Sequence, residues 1–145
     1  GPRPLVPPGA AIASVALWLM TGLDVDSSRL HVIGIHVLLS IGLAVMFTPL
    51  MTTALGSVPM HLYSHGSAIV GTVQQVAGAA GTALFVTVLS RTSADSLAAG
   101  ASAQQAVADG VTTALVWGGA ISAVAVLVTL FVRRADAPPE DAVAH

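Results

Sequence analysis

Hydrophobic and polar positions in this chain fall into blocks. Four apolar runs cover about residues 5–23, 30–51, 66–90 and 111–132, and every Asp, Glu and Arg lies between or outside them. None of the runs carries the polar stripe at helical spacing that a water-facing helix keeps. Three of the runs hold at least 22 residues, and about 20 are enough to cross a hydrocarbon core of about 30 Å. The pattern predicts an all-α, polytopic membrane protein with four transmembrane helices. Pro7 and Pro8 stand where a first helical turn tolerates them, so the first helix is expected from about Pro7 to Leu23.

The connectors set the topology. Asp24 to Arg29 make a short turn, so the first two helices form an antiparallel hairpin. Residues 52–65, with Gly56, Pro59, His61 and His65, are expected to prolong the second helix and then form a link. Residues 91–110 read as a polar, Ala/Ser-rich loop. The membrane segment closes at about residue 134, and residues 135–145 read as a disordered cytoplasmic tail in which Pro138 and Pro139 prevent a helix. Four spans put both ends on one side of the membrane. Arg3, Arg133 and Arg134 lie at the ends, against Arg29 and Arg91 in the loops of the other face, so the positive-inside rule favours cytoplasmic ends by one residue.

Composition agrees with the blocks. Only 8% of residues are charged and the mean hydropathy is +0.85, where a soluble domain carries about 25% charge. The net charge of −2 and the absence of any basic cluster beyond Arg133-Arg134 give nucleic acid nothing to bind. Cysteine is absent, which removes disulfides, thiolate metal sites and cysteine nucleophiles from this chain. No basic segment and cleavage site precede the first run, and the chain opens on Gly, so a piece of something longer is expected. There is no phosphate-cradling Gly-Lys-Ser/Thr loop and no nucleophile–base pair at a recognisable spacing, so neither a cofactor nor an enzymatic activity is expected.

Polar groups inside the runs are few enough to take one by one. In the third run Ser67, Gly71, Gln74, Gly78 and Gly81 fall within an arc of roughly 80° on a helical wheel. Small residues at this spacing let another backbone approach closely, which is how helices associate in lipid. In the fourth run Ala114, Gly118 and Ser122 repeat the motif, with Gly119 and Ala123 beside them. A buried amide in lipid needs a partner, so Gln74 and Gln75 either bond between helices or face a cavity. His36 is the one ionisable group well inside a run, with Ser40 a turn further on the same face. An ionisable group in a span is a candidate for substrate or proton handling, and a neutral His bonded to a neighbour is the plainer alternative. His61 and His65 would suit a metal only on a continuous helix, and Gly56, Pro59 and Gly66 argue against one, so no metal site is expected. Pro49 can kink the second helix or simply mark its end.

Residues 42–89 resemble the C-terminal part of major facilitator superfamily efflux carriers, and in particular the fourteen-span drug:proton antiporters. The resemblance rests on the Gly-rich helix running into Thr48-Pro49, on Pro59, on Gly66-Ser67-Ala68, and on Gln74-Gln75 followed by Gly78 and Gly81-Thr82-Ala83. Gly1-Pro2-Arg3 resembles the end of the cytoplasmic loop that precedes a span in those carriers. It implies that these are the last four spans of a plasma-membrane carrier with both ends cytoplasmic. The second run would line the central cavity, the third would meet the N-terminal half, and the other two would support them. It also implies proton-coupled efflux of small lipophilic compounds by alternating access, with lipid, substrate, proton and the N-terminal half as partners. The family's proton-coupling carboxylates lie in earlier spans, so none is carried over. A self-contained four-span assembly protein is the alternative from another class. A small four-span multidrug exporter fits less well, because residues 11–20 lack the acid its first span needs.

Overall fold

The computed structural model describes residues 5–131 apart from 25 and 57; the tail expected from residue 135 and the Gly1-Pro2-Arg3 opening lie outside the described residues. Four helices account for most of the chain: α1 (Val6–Met20), α2 (Arg29–Gly56), α3 (Tyr63–Ala98) and α4 (Ala103–Thr129), with a 3₁₀ turn at Met60–Leu62. No strand occurs among the described residues. Helices α2, α4 and the stretch Met60–Ala98 are long and apolar enough to cross a membrane. Helix α1, with 15 residues, rises only about 22 Å.

Local chemistry explains the ends. Helix α1 carries proline in its first turn and stops where the Thr21 hydroxyl donates back to the Trp18 carbonyl at 2.7 Å. The turn that follows is built by Asp24, whose Oδ1 accepts from the Asp26 amide and from the Ser27 hydroxyl, each at 3.0 Å. Such side-chain-to-backbone bonds compete with helix and favour turns. Helix α2 continues through Pro49 to Gly56, so the proline marks neither its end nor a break in it.

The largest departure from the sequence expectation is residues 91–110. They form no loop: α3 runs on to Ala98 and α4 begins at Ala103. Gly100, at φ +91°, takes the left-handed position that closes a helix. Its amide bonds the Leu97 carbonyl, and the Ala101 amide bonds the Ser96 carbonyl, both at 3.0 Å. Ser102 then caps α4 by accepting the Gln105 amide. Ala-rich, Gln-containing sequence is good helix material, and a single glycine is enough to turn it.

The helices pack antiparallel in a row: α2 lies on α1, α1 on α4 and α4 on α3, while α2 and α3 touch only lightly. We call the end with the α2–α3 link the base and the opposite end the crown. Glycine makes the first contact possible. A Cβ on Gly9 would stand 2.7 Å from the Met46 amide nitrogen, and one on Gly42 only 2.5 Å from that of Ala13. Between α1 and α4 the Trp18 ring lies on Gly119, whose added Cβ would meet it at 3.0 Å. Ser14 and Ser122 share a 2.9 Å hydrogen bond at the same seam. Because the Ser122 hydroxyl donates to the Gly119 carbonyl, Ser14 is the donor between helices. With Trp18 and Gly119 level, α4 continues 16 residues toward the crown, about 24 Å, and α1 only two, about 3 Å. The α3–α4 hairpin therefore stands roughly 20 Å proud of the end of α1.

Candidate functional site

On α2, the face that meets α1 carries Ile35, Gly42 and Met46, of which Ile35 and Gly42 are buried. His36, Ser40, Leu43, Phe47 and Met51 fall on another face, about 120° round the helix. The first four of these are exposed. The Ser40 hydroxyl donates to the His36 backbone carbonyl at 2.9 Å, so it is not the imidazole's partner. Several hydroxyls in the helices bond back in this way, as Thr52, Thr53, Thr72 and Thr113 do to the carbonyl four residues earlier. That satisfies them within one helix, as lipid requires.

On α3, every residue from 72 to 87 is exposed. Gln74 reaches across to α2, where its Nε2 donates to the Met51 sulfur at 3.3 Å. Gln75, a step round the helix, has no hydrogen bond among the described residues. Gln74 thus meets the α2 face that also carries His36 and Ser40. The three do not converge, since His36 lies 15 residues, about 22 Å, along α2 from Met51. Near the base, Val58 of the link packs on Gly66, where an added Cβ would lie 2.9 Å from a valine methyl.

The small-residue stripe of α3 is one part of a longer face. Leu89, Thr92 and Ser96 lie in the same 80° arc as Ser67, Gly71, Gln74, Gly78 and Gly81. Helix α4 covers only the crown end of that face. There the Leu89 carbonyl approaches Gly110 so closely that an added Cβ would sit 2.7 Å from it. Lower down, Gly81 and Gly118 face a crevice of about 200 Å³ between the two helices, lined also by Phe85, Val88 and Trp117. Gly71, Gly78, Gly81 and Gly118 have nothing within 4 Å of where a Cβ would be. Ser67 is exposed, whereas on α4 Ser122 bonds Ser14, Gly119 meets the Trp18 ring and Ala114 is buried.

At the crown the polar groups expected in a loop tie the hairpin together. Asp109 of α4 accepts from the Ser96 hydroxyl of α3 at one carboxyl oxygen and from Gln105 Nε2 at the other, both at 2.9 Å. Ala106 beneath them is fully buried. Ser93 Oγ is buried at this crossing with no hydrogen-bond partner. His61 sits in the 3₁₀ turn and His65 in α3, and no group of three or more potential ligands occurs among the described residues.

Sequence reasoning missed Met51 as the partner of Gln74, Ser14 as the partner of Ser122, and the helix-packing roles of Gly9, Gly42 and Gly110. The signal was present for some of these. Gly9-x-x-x-Ala13 and Ala106-x-x-x-Gly110-x-x-x-Ala114 are small residues at spacing four, the pattern recognised further along α4.

Four apolar helices, one of them bare along its middle, define a segment of an integral membrane protein. Its relatives are drug resistance proteins and MFS-type transporters. The lincomycin resistance protein LmrB of Listeria monocytogenes is 39% identical over 140 residues, which is 93% of this chain and 30% of that protein. The MFS-type transporter YcnB of Bacillus subtilis is 28% identical over 91% of the chain and 29% of its own length. The puromycin resistance protein pur8 of Streptomyces alboniger is 32% identical over 75% of the chain and 22% of its own. No protein-family model matches the chain, and no solved structure does. The chain belongs to the major facilitator superfamily, and it spans about 30% of the length of the curated relatives it matches.

Proposed function

We propose that this chain supplies the last four spans of a proton-coupled carrier that exports small, lipophilic compounds by alternating access. The observation that carries the reading is the bare middle of α3. Sixteen consecutive exposed residues, with a small-residue stripe among them, lie on a helix long enough to span the bilayer. Such a face suits close approach by further helices, and the relatives are about three times longer than this chain. Their names speak of resistance to lincomycin and puromycin, which fits export of drugs.

Each part has a role in this reading. The α2 face with His36, Ser40, Phe47 and Met51, together with Gln74 and Gln75 of α3, lines the substrate path. Helices α1 and α4 hold α2 and α3 apart through the Gly9–Gly42 and Ser14–Ser122 seams. The apolar runs 5–23, 30–51, 66–90 and 111–132 hold no acid or Arg, so the coupling carboxylate belongs to the remainder of the carrier. The membrane potential supplies roughly 2.3 kcal/mol per charge per 100 mV for it to use. Both ends of the chain lie in the cytoplasm of a plasma-membrane protein, in line with the arginine count.

The test is export of lincomycin from cells, and uptake into inverted vesicles, by the full-length carrier with and without a proton gradient. Export that persists after the gradient is collapsed would refute proton coupling. In the same carrier, Gln74→Ala is expected to change the range of compounds exported at unchanged abundance. A fall in abundance with the range intact would assign Gln74 to packing alone.

A further inference from the structure

We propose that Asp109 is a positioning residue that pins the crown end of α3 to α4, so that α3 swings at its base, where the Gln74–Met51 contact parts. The inference rests on the transport reading. It starts from the inequality of the two ends of α3. At the crown, both carboxyl oxygens of Asp109 are engaged, one of them across to Ser96. The backbones touch at Gly110, and Ala106 and Ala114 are buried in the seam. At the base, among the described residues, α3 is held by one amide–thioether bond and by Val58 resting on Gly66. Sulfur is a weak acceptor, so the Gln74 amide gives up little by changing partner. Between the two anchors none of the described residues buries the helix.

A rod fixed firmly at one end and weakly at the other moves at the weak end. From Ser96 to Gln74 is 22 residues, about 33 Å, so a tilt of about 10° at the crown carries Gln74 about 6 Å. That is ample to break a 3.3 Å contact. The stripe of Gly71, Gly78 and Gly81, with no Cβ to catch on a neighbour, lies along the moving stretch.

Cysteine pairs in the full-length carrier test this, since the chain itself has no cysteine; cysteines elsewhere in the carrier are first replaced. One pair, Thr52→Cys with Val73→Cys, bridges α2 and α3 beside the base contact. The other, Leu97→Cys with Val107→Cys, bridges the crown beside the Asp109 cluster. None of these four residues makes either contact. A short reducible bismaleimide-type crosslinker on the base pair is expected to lower lincomycin export at least tenfold, with recovery on cleavage and progressive recovery with longer linkers. The same crosslinker on the crown pair is expected to leave export within twofold. Asp109→Ala is expected to lower export about fivefold, and crosslinking the crown pair in that background to restore it. Asp109→Asn, which keeps one acceptor oxygen, serves the same comparison where the alanine variant does not reach the membrane. The proposal is overturned if the crown crosslink stops export, if the base crosslink leaves it intact, or if the crown crosslink fails to rescue Asp109 variants that reach the membrane. Carriers that export nothing before crosslinking would instead overturn the transport reading itself.

Discussion

Single atoms decide the tightest contacts. At Gly42 the intruding group would be the backbone of Ala13, which cannot rotate away as a side chain can. Gly42→Ala is therefore expected to cost about 1–3 kcal/mol, the usual range for overpacking a filled interior. Lower membrane abundance and a lower melting temperature of the purified carrier would register it. Gly34→Ala, on the same helix with nothing within 4 Å, is the matched control and should do neither. Ser93 gives the opposite sign. Its hydroxyl is buried at the α3–α4 crossing without a partner, and such a group carries a desolvation penalty of about 1–3 kcal/mol. Ser93→Ala should leave the melting temperature unchanged or raise it. A clear drop would mean that the hydroxyl has a partner in the intact carrier.

At the scale of elements, the helical hairpin replaces a predicted loop, and that makes a periodic signature. Single cysteines along residues 88–112 should react with a membrane-impermeant maleimide in helical alternation. Leu97 and Val107, about half exposed, should label, while Ala106, at 0% exposure, should resist. Uniform labelling across the stretch would restore the loop. The sequence made the spans readable because lipid excludes charge from a stretch of about 20 residues, and that signal needs no neighbour. It misled at residues 91–110 because polar, alanine-rich sequence looks alike in a loop and in a helix that has left the membrane. What distinguishes them is Gly100 at positive φ and Ser102 at the cap, features of two residues rather than of composition. The site was legible only in part. Gln74 stood out as an amide in an apolar run, but nothing along the chain marks Met51 as its partner, since that pairing depends on how α2 and α3 turn back on each other across Pro59. Ser14 and Ser122 lie 108 residues apart, and periodicity within one helix cannot join them.

For the whole molecule, the consequence of the bare α3 is that the chain is incomplete as a folding unit. Three of its helices are long enough to span, yet α3 buries none of its own residues here, and α2 buries only Ile35 and Gly42. Lipid can cover apolar side chains, so exposure alone is tolerated in the bilayer. The Gln74 and Gln75 amides and the glycine stripe are different, because hydrocarbon offers amides no bonds and glycines no shape to fit. Expressed alone, the 145-residue chain should insert, move no substrate, and form mixed oligomers through α3 rather than a single species. Co-expressed as a separate polypeptide with the remainder of the carrier, it should recover export and give one sharp complex on size-exclusion chromatography in detergent. Gly78→Leu, which has open space around it in this chain, should leave insertion unaffected and abolish that complementation. If Gly78→Leu complements as well as the parent sequence, the bare stripe of α3 is a lipid-facing surface and not the seam with the rest of the protein.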